Sequence, residues 1–297
     1  MKLVSYGDLG NERAGVVFGD KILDLCRAWQ ALGKGQMPSN MIQVLEGPWR
    51  ERVHHVLDNA EALVGKENIS FDISDVRLGA PVPRPSKVVC LGLNYRDHAD
   101  ESGQPYPEAP ILFSKASSCI IGPRDEVLIP PESDQIDWEV ELAVVMGKRG
   151  RRIPEAEALD YVAGYTVLND VSARDIQMSG KQWHRGKSFD TFGPMGPWII
   201  TLDEIDDPLS LEVRCAINGV ERQHSNTSYH ISNVPQTIAF ISLGMTLFPG
   251  DVIATGTPGG VGFVMTPPVY LKPGDDVVTE VEGIGQLRNR ISSEKGV

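Results

Sequence analysis

The chain has 297 residues, of which 41% are hydrophobic and 23% are charged, and its formal net charge is −12. This length is sufficient for a full-sized hydrophobic core, most naturally divided into one large and one small domain. The negative charge argues against nucleic acid or an anionic membrane as the main partner, because phosphate-rich surfaces select basic proteins. An acidic small-molecule substrate is still compatible with it, because a metal and a few cations can dominate one pocket.

The cysteine pattern predicts free thiols in a reducing compartment. The chain has four widely spaced cysteines and no Cys-x-x-Cys pair; they are Cys26, Cys90, Cys119 and Cys215,. The first residues lack the apolar region of a signal peptide, and no apolar run is long enough to span a membrane. We therefore expect a cytosolic protein.

The first part of the chain predicts short strands followed by helices. Three β-rich runs separated by Gly-Asp or Gly-Asn turns cover residues 2–6, 15–18 and 21–23,. Helical spacing of apolar residues follows at 41–46 and 49–64. Alternate prolines at 81, 83 and 85 then hold the chain extended, which is typical of a linker,. We place the domain boundary within residues 72–85, giving a small N-terminal α+β domain at 1–75 and a catalytic domain at 76–297.

The second part is rich in predicted strands and poor in helices. Residues 88–93 form an apolar run, and Asn218-Gly219 between two further runs is a strong hairpin signal,. A helix is predicted over 234–247, with Ser232 or Asn233 as its N-cap. Because the strands do not alternate regularly with helices, the pattern disfavours a doubly wound sheet. It predicts a strand-dominated α+β fold.

The run at 137–145 begins with Asp137 and carries two further carboxylates among apolar residues. In a strand, Glu139 and Glu141 would point to the same face, with Val140 and Leu142 on the other,. Two like charges on neighbouring pleats repel each other and are costly to bury, and a bound cation would remove both costs. The alternative is an ordinary solvated strand face.

A third carboxylate, Asp170, follows the apolar run at 165–168. Three carboxylates without a thiolate form a hard-oxygen set, which suits Mg²⁺ or Mn²⁺ better than Zn²⁺. A helix-capping role is the alternative for Asp170.

A possible acid–base pair lies after the strand at 88–93. His98 and Glu101 are three residues apart, so on one helical turn the carboxylate can orient the imidazole and raise its basicity,. An exposed polar turn is the alternative. The residues that follow, 102–107, contain a glycine and two prolines and suit a mobile lid or an idle surface loop.

Two cations are candidates for a role in the same site. Arg174 follows Asp170 by one turn and can balance it or hold an anionic substrate, although a plain surface salt bridge is the alternative,. Lys187 lies between Trp183 and Phe189, where a lysine near carboxylates can act as an electrostatic catalyst. A surface lysine is the commoner case.

The glycine-rich run at 255–262 follows a strand but lacks the Lys-Ser/Thr pair of a phosphate-binding loop,. We therefore reject nucleotide binding. The main-chain amides of the run, together with Thr257, can still bind a carboxylate.

Five stretches of the sequence, taken together in their order along the chain, closely resemble the fumarylacetoacetate hydrolase superfamily, in its "domain-containing protein" branch. The resemblance covers residues 85–291, and the five together are far more specific than any one alone. The stretches are VCLGLNYRDH at 89–98, DWEVELAVV at 137–145, NDVSARD at 169–175, GKSFDTFGP at 186–194 and ATGTPGGVG at 254–262.

The resemblance implies a mixed β-sandwich roll that forms a homodimer and binds Mg²⁺ or Mn²⁺. It also implies a role for each matched residue: Glu139, Glu141 and Asp170 as metal ligands, His98 with Glu101 as a lid dyad that activates water, Lys187 as a helper at the metal, and Arg174, Gln177 and Thr257 as substrate ligands. Fumarylacetoacetate hydrolases carry one more aspartate ligand upstream of the dyad histidine. We cannot place that residue in this sequence, which indicates a shorter oxo acid.

We expect a metal-dependent hydrolase that cleaves the C–C bond of a 2,4-dioxo acid through a metal-stabilised enolate. The same enolate serves an oxaloacetate decarboxylase or tautomerase, or a 2-hydroxyhepta-2,4-diene-1,7-dioate-type isomerase, and these residues do not separate the three reactions. A metal-binding protein without catalysis is a more remote alternative.

Overall fold

The computed structural model describes residues 1–205 and 207–294, so residues 295–297 of the predicted catalytic domain lie outside the described part of the chain. The strands are β1 Lys2–Tyr6, β2 Arg13–Phe18, β3 Lys21–Asp24, β4 Ser70–Asp72, β5 Val88–Gly92, β6 Ile111–Lys115, β7 Ile120–Ile121, β8 Val127–Ile129, β9 Ile136–Asp137, β10 Val140–Met146, β11 Val162–Asn169, β12 Ser172–Ala173, β13 Gly193–Ile200, β14 Glu212–Ile217, β15 Val220–Asn226, β16 Val252–Ala254, β17 Asp276–Val281 and β18 Gly285–Ser293.

The α-helices are fewer and mostly short. They are α1 Leu25–Ala31, α2 Met41–Leu45, α3 Trp49–Asp58, α4 Ala60–Leu63, α5 Arg96–Glu101, α6 Arg174–Ser179, α7 His184–Lys187 and α8 Val234–Gly244.

Two mixed sheets form the core of the fold. The larger sheet has the strand order β4-β3-β2-β1-β13-β11-β10-β16-β5-β6, and β7 adds to β13. The smaller sheet has the order β15-β14-β17-β18-β8 and packs with β14, β17 and β18 against β10, β11 and β13. Most neighbours are antiparallel, but β16 pairs with β5 in parallel. The predicted strand-dominated α+β class and the layered, mixed arrangement are therefore confirmed.

Strands β10 and β11 lie in the middle of the larger sheet and are buried along their whole length. Their near-continuous apolar sequence is typical of strands covered on both faces. The run predicted as one strand at 137–145 is interrupted at 138–139. There the amide of Glu139 donates to the side chain of Asn169 at 3.0 Å. Because a side chain replaces a main-chain partner at this point, Glu139 lies just before β10 and Glu141 within it.

The N-terminal strands continue the larger sheet. Lys2 in β1 pairs with Ile200 in β13, so the sheet runs across the predicted division at 75 and 76; that division stays a prediction. The helix predicted over 49–64 is broken at Asn59, whose side chain donates to the carbonyl of His55 at 2.8 Å.

Two local signals are confirmed at the level of single residues. Asn233, and not Ser232, caps α8 in a capping box with Gln236. Asn218 and Gly219 both have positive φ, at 52° and 79°, which is the backbone that a two-residue hairpin loop between β14 and β15 needs,.

All four cysteines are free, and three of them are buried. Among the described residues, none of the helices combines the length and apolar character required to cross a bilayer.

Candidate metal centre and active site

Three buried carboxylates meet where β10 and β11 lie side by side. Val140 is opposite Asn169 in the strand register, which brings the start of β10 to the end of β11. One oxygen from each of Glu139, Glu141 and Asp170 lies within 4.8 Å of the others. The structure thus brings together the three predicted ligands. Their role as metal ligands stays a prediction.

Buried cations neutralise two of these carboxylates. The ammonium of Lys187 donates to Glu139 Oε2 at 2.6 Å and to Asp170 Oδ2 at 2.8 Å. Lys115 Nζ donates to Asp170 Oδ1 at 2.6 Å, and Arg174 Nη1 lies 2.7 Å from Glu139 Oε1. All three cations are buried. The surface alternatives for Lys187 and Arg174 are therefore wrong.

The third carboxylate, Glu141, has no cation within ion-pair distance among the described residues. Gly256 N donates to its Oε2 at 2.7 Å, whereas the buried Oε1 has no hydrogen-bond partner there. Burial, together with the charges of Asp170 and Glu139, raises the pKa of Glu141 well above its usual range,. Burial also opposes ionisation of Glu139, but Lys187 and Arg174 outweigh it and lower the pKa of that carboxyl.

These observations fit a bound divalent cation. A buried carboxylate oxygen without a partner is rare in folded proteins, and a metal ion at this point would satisfy it. Asp137 joins the three carboxylates, and three cations face these four acids, so the cluster keeps one excess negative charge when all of them are ionised. The available donors are carboxylate oxygens, which suit Mg²⁺ or Mn²⁺.

Hydrogen bonds hold the guanidinium of Arg174 in place, and one of its nitrogen atoms has no acceptor among the described residues. Its Nε donates to Asp137 Oδ2 at 2.8 Å and its Nη1 donates to Gln177 Oε1 at 3.0 Å. Its buried Nη2 has no partner among the described residues. A fixed guanidinium with a free N–H beside Glu139 can bind an oxygen of an anionic ligand. The arrangement is compatible with the predicted substrate role of Arg174 and Gln177.

The predicted dyad has the expected geometry. His98 and Glu101 lie on α5, with Nδ1 and Oε1 2.8 Å apart. Glu101 Oε2 also accepts a hydrogen bond from Gly260 N at 2.9 Å, which fixes the carboxylate. The hydrogen bonds of the described residues leave His98 Nε2 free to carry a proton. His98 is also among the groups that lower the pKa of Glu139.

The glycine-rich run binds carboxylates, but those of the protein itself. Its amides donate to four acidic side chains, in the pairs Gly256–Glu141, Gly259–Asp97, Gly260–Glu101 and Gly262–Asp137. The hydroxyl of Thr257 donates to Val140 O at 3.0 Å and accepts from Gln223 Nε2 at 2.8 Å. Its proton is therefore already used within the protein, and a substrate role for Thr257 stays a prediction.

Sequence reasoning missed Lys115 and Asp137. Lys115 ends β6, a mostly apolar strand, at a position where lysine usually reaches solvent,. Asp137 begins the same run as Glu139, but its side chain turns toward Arg174 and the amides of Gly262 and Phe263. The available signal was a charged residue at a strand end, and that signal alone does not distinguish buried from exposed positions.

Comparison with known proteins identifies the class of this site. The model of the family described as Fumarylacetoacetate (FAA) hydrolase C-terminal matches residues 87–292. The chain therefore belongs to the fumarylacetoacetate hydrolase superfamily, as the five sequence stretches indicate.

Three individual proteins are similar to this chain over most of its length. The chain is 47% identical over 256 residues to "Oxaloacetate tautomerase Fahd2a, mitochondrial" of Rattus norvegicus, covering 86% of this chain and 80% of the relative. Its fold is similar to a putative HpcE protein from Mycobacterium smegmatis, with a TM-score of 0.85, 37% identity and coverage of 99% and 100% of the two chains. A maleylpyruvate hydrolase from Sphingobium sp. SYK-6, in complex with manganese(II) and pyruvate, has a TM-score of 0.80 at 30% identity, with coverage of 99% and 100%.

Proposed function

We propose that this protein is a Mg²⁺- or Mn²⁺-dependent tautomerase that interconverts the keto and enol forms of oxaloacetate. The observation that carries the proposal is the 47% identity to the rat oxaloacetate tautomerase across most of the chain. This reverses the order predicted from the sequence, where C–C hydrolysis came first and oxaloacetate chemistry second. The change of ranking keeps the proposed chemistry of the site, because tautomerisation needs the same enolate as hydrolysis. It needs neither activated water nor C–C cleavage.

Substrate binding would begin at the carboxylate next to the ketone. The free Nη2 of Arg174 would donate to that group, while Asp137 and Gln177 keep the guanidinium plane fixed,. A divalent cation held by Glu139, Glu141 and Asp170 would draw electron density from the ketone and carboxylate oxygens of a 2-oxo acid. The neutral ketone is thereby prepared for loss of a proton from C3.

The proton would move through His98. Glu101 holds Nδ1, so the lone pair on Nε2 can accept the proton from C3,. The C–H electron pair then forms the C2–C3 double bond, and the carbonyl pair moves to the C2 oxygen. Return of a proton to that oxygen gives the enol. Lys187 would place its positive charge near the oxygen while negative charge develops there,.

A C–C hydrolase is the second candidate, supported by the structural similarity to the maleylpyruvate hydrolase. In that case His98 Nε2 would take a proton from water, and the water oxygen would attack a carbonyl at C4. The bond between C3 and C4 would break, and its electron pair would stay on C3 as pyruvate enolate. Both reactions use the same dyad and the same cations.

The deciding experiment compares the two reactions on one preparation with Mn²⁺ added. Decay of the ultraviolet absorbance of enol-oxaloacetate reports tautomerisation, and pyruvate release reports hydrolysis of acylpyruvates or decarboxylation of oxaloacetate. We expect fast, chelator-sensitive tautomerisation that falls by about 10²–10⁴ in His98→Ala. Pyruvate release from acylpyruvates without any acceleration of tautomerisation would instead establish the hydrolase.

We also propose the reducing, cytosolic location expected from the sequence. The four free thiols support a reducing compartment. The rat relative is named as a mitochondrial protein. Cell fractionation against cytosolic and mitochondrial markers tests this point, and recovery with the mitochondrial marker would reject the cytosolic proposal.

A further inference from the structure

Lys115 differs from the other cations of the site in what holds it. Its ammonium donates to Asp170 Oδ1 at 2.6 Å, to the carbonyl of Val171 at 3.3 Å and to the carbonyl of Lys187. The side chain is fully buried. The ammonium uses its three N–H donors on three fixed acceptors,.

The acceptors of Lys115 include a proposed metal ligand and the main chain of the helix that carries the proposed catalytic lysine. Asp170 is a proposed metal ligand, and the carbonyl of Lys187 ends α7, the helix that carries the proposed catalytic ammonium. Lys187 Nζ, in contrast, bonds only to Glu139 and Asp170 among the described residues. One ammonium is thus anchored to the main chain, while the other is held by carboxylate oxygens alone.

We propose that Lys115 is a positioning residue that fixes the carboxylate of Asp170 and the main chain of Lys187 relative to each other. By holding Oδ1, it turns Oδ2 of Asp170 toward Glu139 and the centre of the cluster. By holding the carbonyl of Lys187, it sets the point from which that side chain reaches the same oxygens. This inference rests on the proposed metal-dependent function, and it adds a residue that no part of that function assigns.

A positioning role and a purely electrostatic role of Lys115 predict opposite changes in the affinity of Lys115→Met for a divalent cation. Loss of one positive charge leaves the cluster more negative, so a purely electrostatic role predicts tighter binding of a divalent cation. A positioning role predicts weaker binding, because Asp170 Oδ1 loses its buried partner and the carboxylate turns away from its ligand orientation. Removal of groups that orient metal ligands typically costs 10–100-fold in metal affinity.

The test is titration of the purified protein with Mn²⁺ alone, followed by electron paramagnetic resonance of the free ion. We expect Lys115→Met to bind Mn²⁺ about 10–100-fold more weakly than the wild type. At saturating Mn²⁺, its kcat should stay low with little change in KM, because the main chain of Lys187 is no longer held. Unchanged or tighter Mn²⁺ binding overturns the positioning role.

Lys87→Met is the matched control, because Lys87 also forms an ion pair with a fully buried aspartate, Asp251. It should lower thermal stability and leave Mn²⁺ affinity unchanged. If Lys115→Met does not fold, Lys115→Arg decides: the larger planar group cannot reproduce the three contacts, so several-fold weaker Mn²⁺ binding is expected and wild-type binding overturns the role. Absence of Mn²⁺ binding by the wild type would reject the proposed function itself, a result distinct from failure of the Lys115 inference.

Discussion

At the scale of single residues, Lys187 and Glu141 show what the carboxylate cluster lacks. Lys187 shares its ammonium between Glu139 and Asp170, while Glu141 keeps one buried oxygen without a partner. The cluster therefore contains one carboxylate with a free oxygen, Glu141, and two carboxylates that are already paired with a lysine, Glu139 and Asp170. A divalent cation would compete with Lys187 for these two carboxylates, leaving the ammonium available for the developing enolate.

This competition predicts the behaviour of Lys187→Met, which keeps the length of the side chain and removes its charge. We expect Mn²⁺ to bind at least as tightly as to the wild type, because the rival cation is gone, while kcat for tautomerisation falls by at least about 10²-fold. Titration with Mn²⁺ and steady-state kinetics on the same sample measure both quantities. A near-normal kcat would remove Lys187 from the mechanism.

At the scale of elements, the glycine-rich run joins the dyad helix to the carboxylate cluster. Gly256 N binds Glu141 and Gly260 N binds Glu101, so a single loop fixes one proposed metal ligand and one member of the dyad. The backbone at Gly260 has a φ of 95°, and an added Cβ would strike the carbonyl of Arg222. Glycine is needed at this point for both reasons.

Gly260→Ala is therefore expected to displace the loop and break its bond to Glu101. We predict a fall in kcat of about 10-fold or more with Mn²⁺ affinity unchanged, because the bond at Gly256 is untouched. Gly274→Ala is the matched control: its φ is 98°, but no neighbour lies within 4 Å of the added Cβ. Both variants carry a backbone cost of roughly 1–2 kcal/mol, so only Gly260→Ala should affect catalysis. Equal kcat values in the two variants would contradict the coupling.

Local patterns predicted much of the architecture because they act over a few residues. Asn218-Gly219 predicted its hairpin, and the apolar period predicted α8 and its cap region. The run at 137–145 was predicted as one strand, but the bond from Glu139 N to the side chain of Asn169 interrupts it. That partner is thirty residues away in sequence, so no local signal could show the interruption.

The candidate site was predictable in its residue types but not in its charge balance. Alternation placed Glu139 and Glu141 on one face, and both reach the buried cluster. From the sequence we expected the three carboxylates together with Lys187 and Arg174. The structure adds Lys115 from β6 and pairs Arg174 with Asp137. These pairs join residues far apart in the chain, and only the sheet order brings them together.

At the scale of the whole molecule, a buried histidine links stability to pH. His230 packs edge-on against Tyr95, and burial lowers its pKa to about 3. Above pH 6.5, the usual histidine pKa, the side chain is neutral in both the folded and the unfolded protein. Between pH 6.5 and about 3, only the unfolded chain binds the proton. This group therefore decreases the free energy of unfolding as the pH falls through that range.

We predict that His230→Gln flattens the acid side of the stability profile. The wild-type free energy of unfolding should fall more steeply than that of the variant between pH 6.5 and 4, by up to about 1.4 kcal/mol per pH unit. Urea unfolding in the presence of a chelator measures the difference without a contribution from metal release. His54→Gln replaces an exposed histidine and should keep the wild-type slope. Parallel profiles for the wild type and His230→Gln would contradict the prediction.

The homodimer expected from the sequence stays a prediction, and the surface of the molecule suggests where it forms. Four large apolar side chains are exposed within nine residues at the end of α8 and in the turn that follows: Phe240 at 37%, Leu243 at 52%, Met245 at 38% and Phe248 at 41%. Other exposed apolar residues are scattered along the described chain. Apolar surface contributes about 25 cal/mol per Å² when it is buried, so exposed apolar side chains concentrated in one short segment favour self-association.

Light scattering during size-exclusion chromatography should therefore give twice the chain mass of 32.5 kDa. Leu243→Glu places a charge at the most exposed of these four positions. It should shift the protein toward monomer, because burying an unpaired carboxylate costs more than the contact gains. Leu9→Glu is the control, since Leu9 is 71% exposed and lies far from α8 in the sequence. A monomeric wild type would reject the dimer. A dimer that persists in Leu243→Glu would keep the assembly but place its interface on another face.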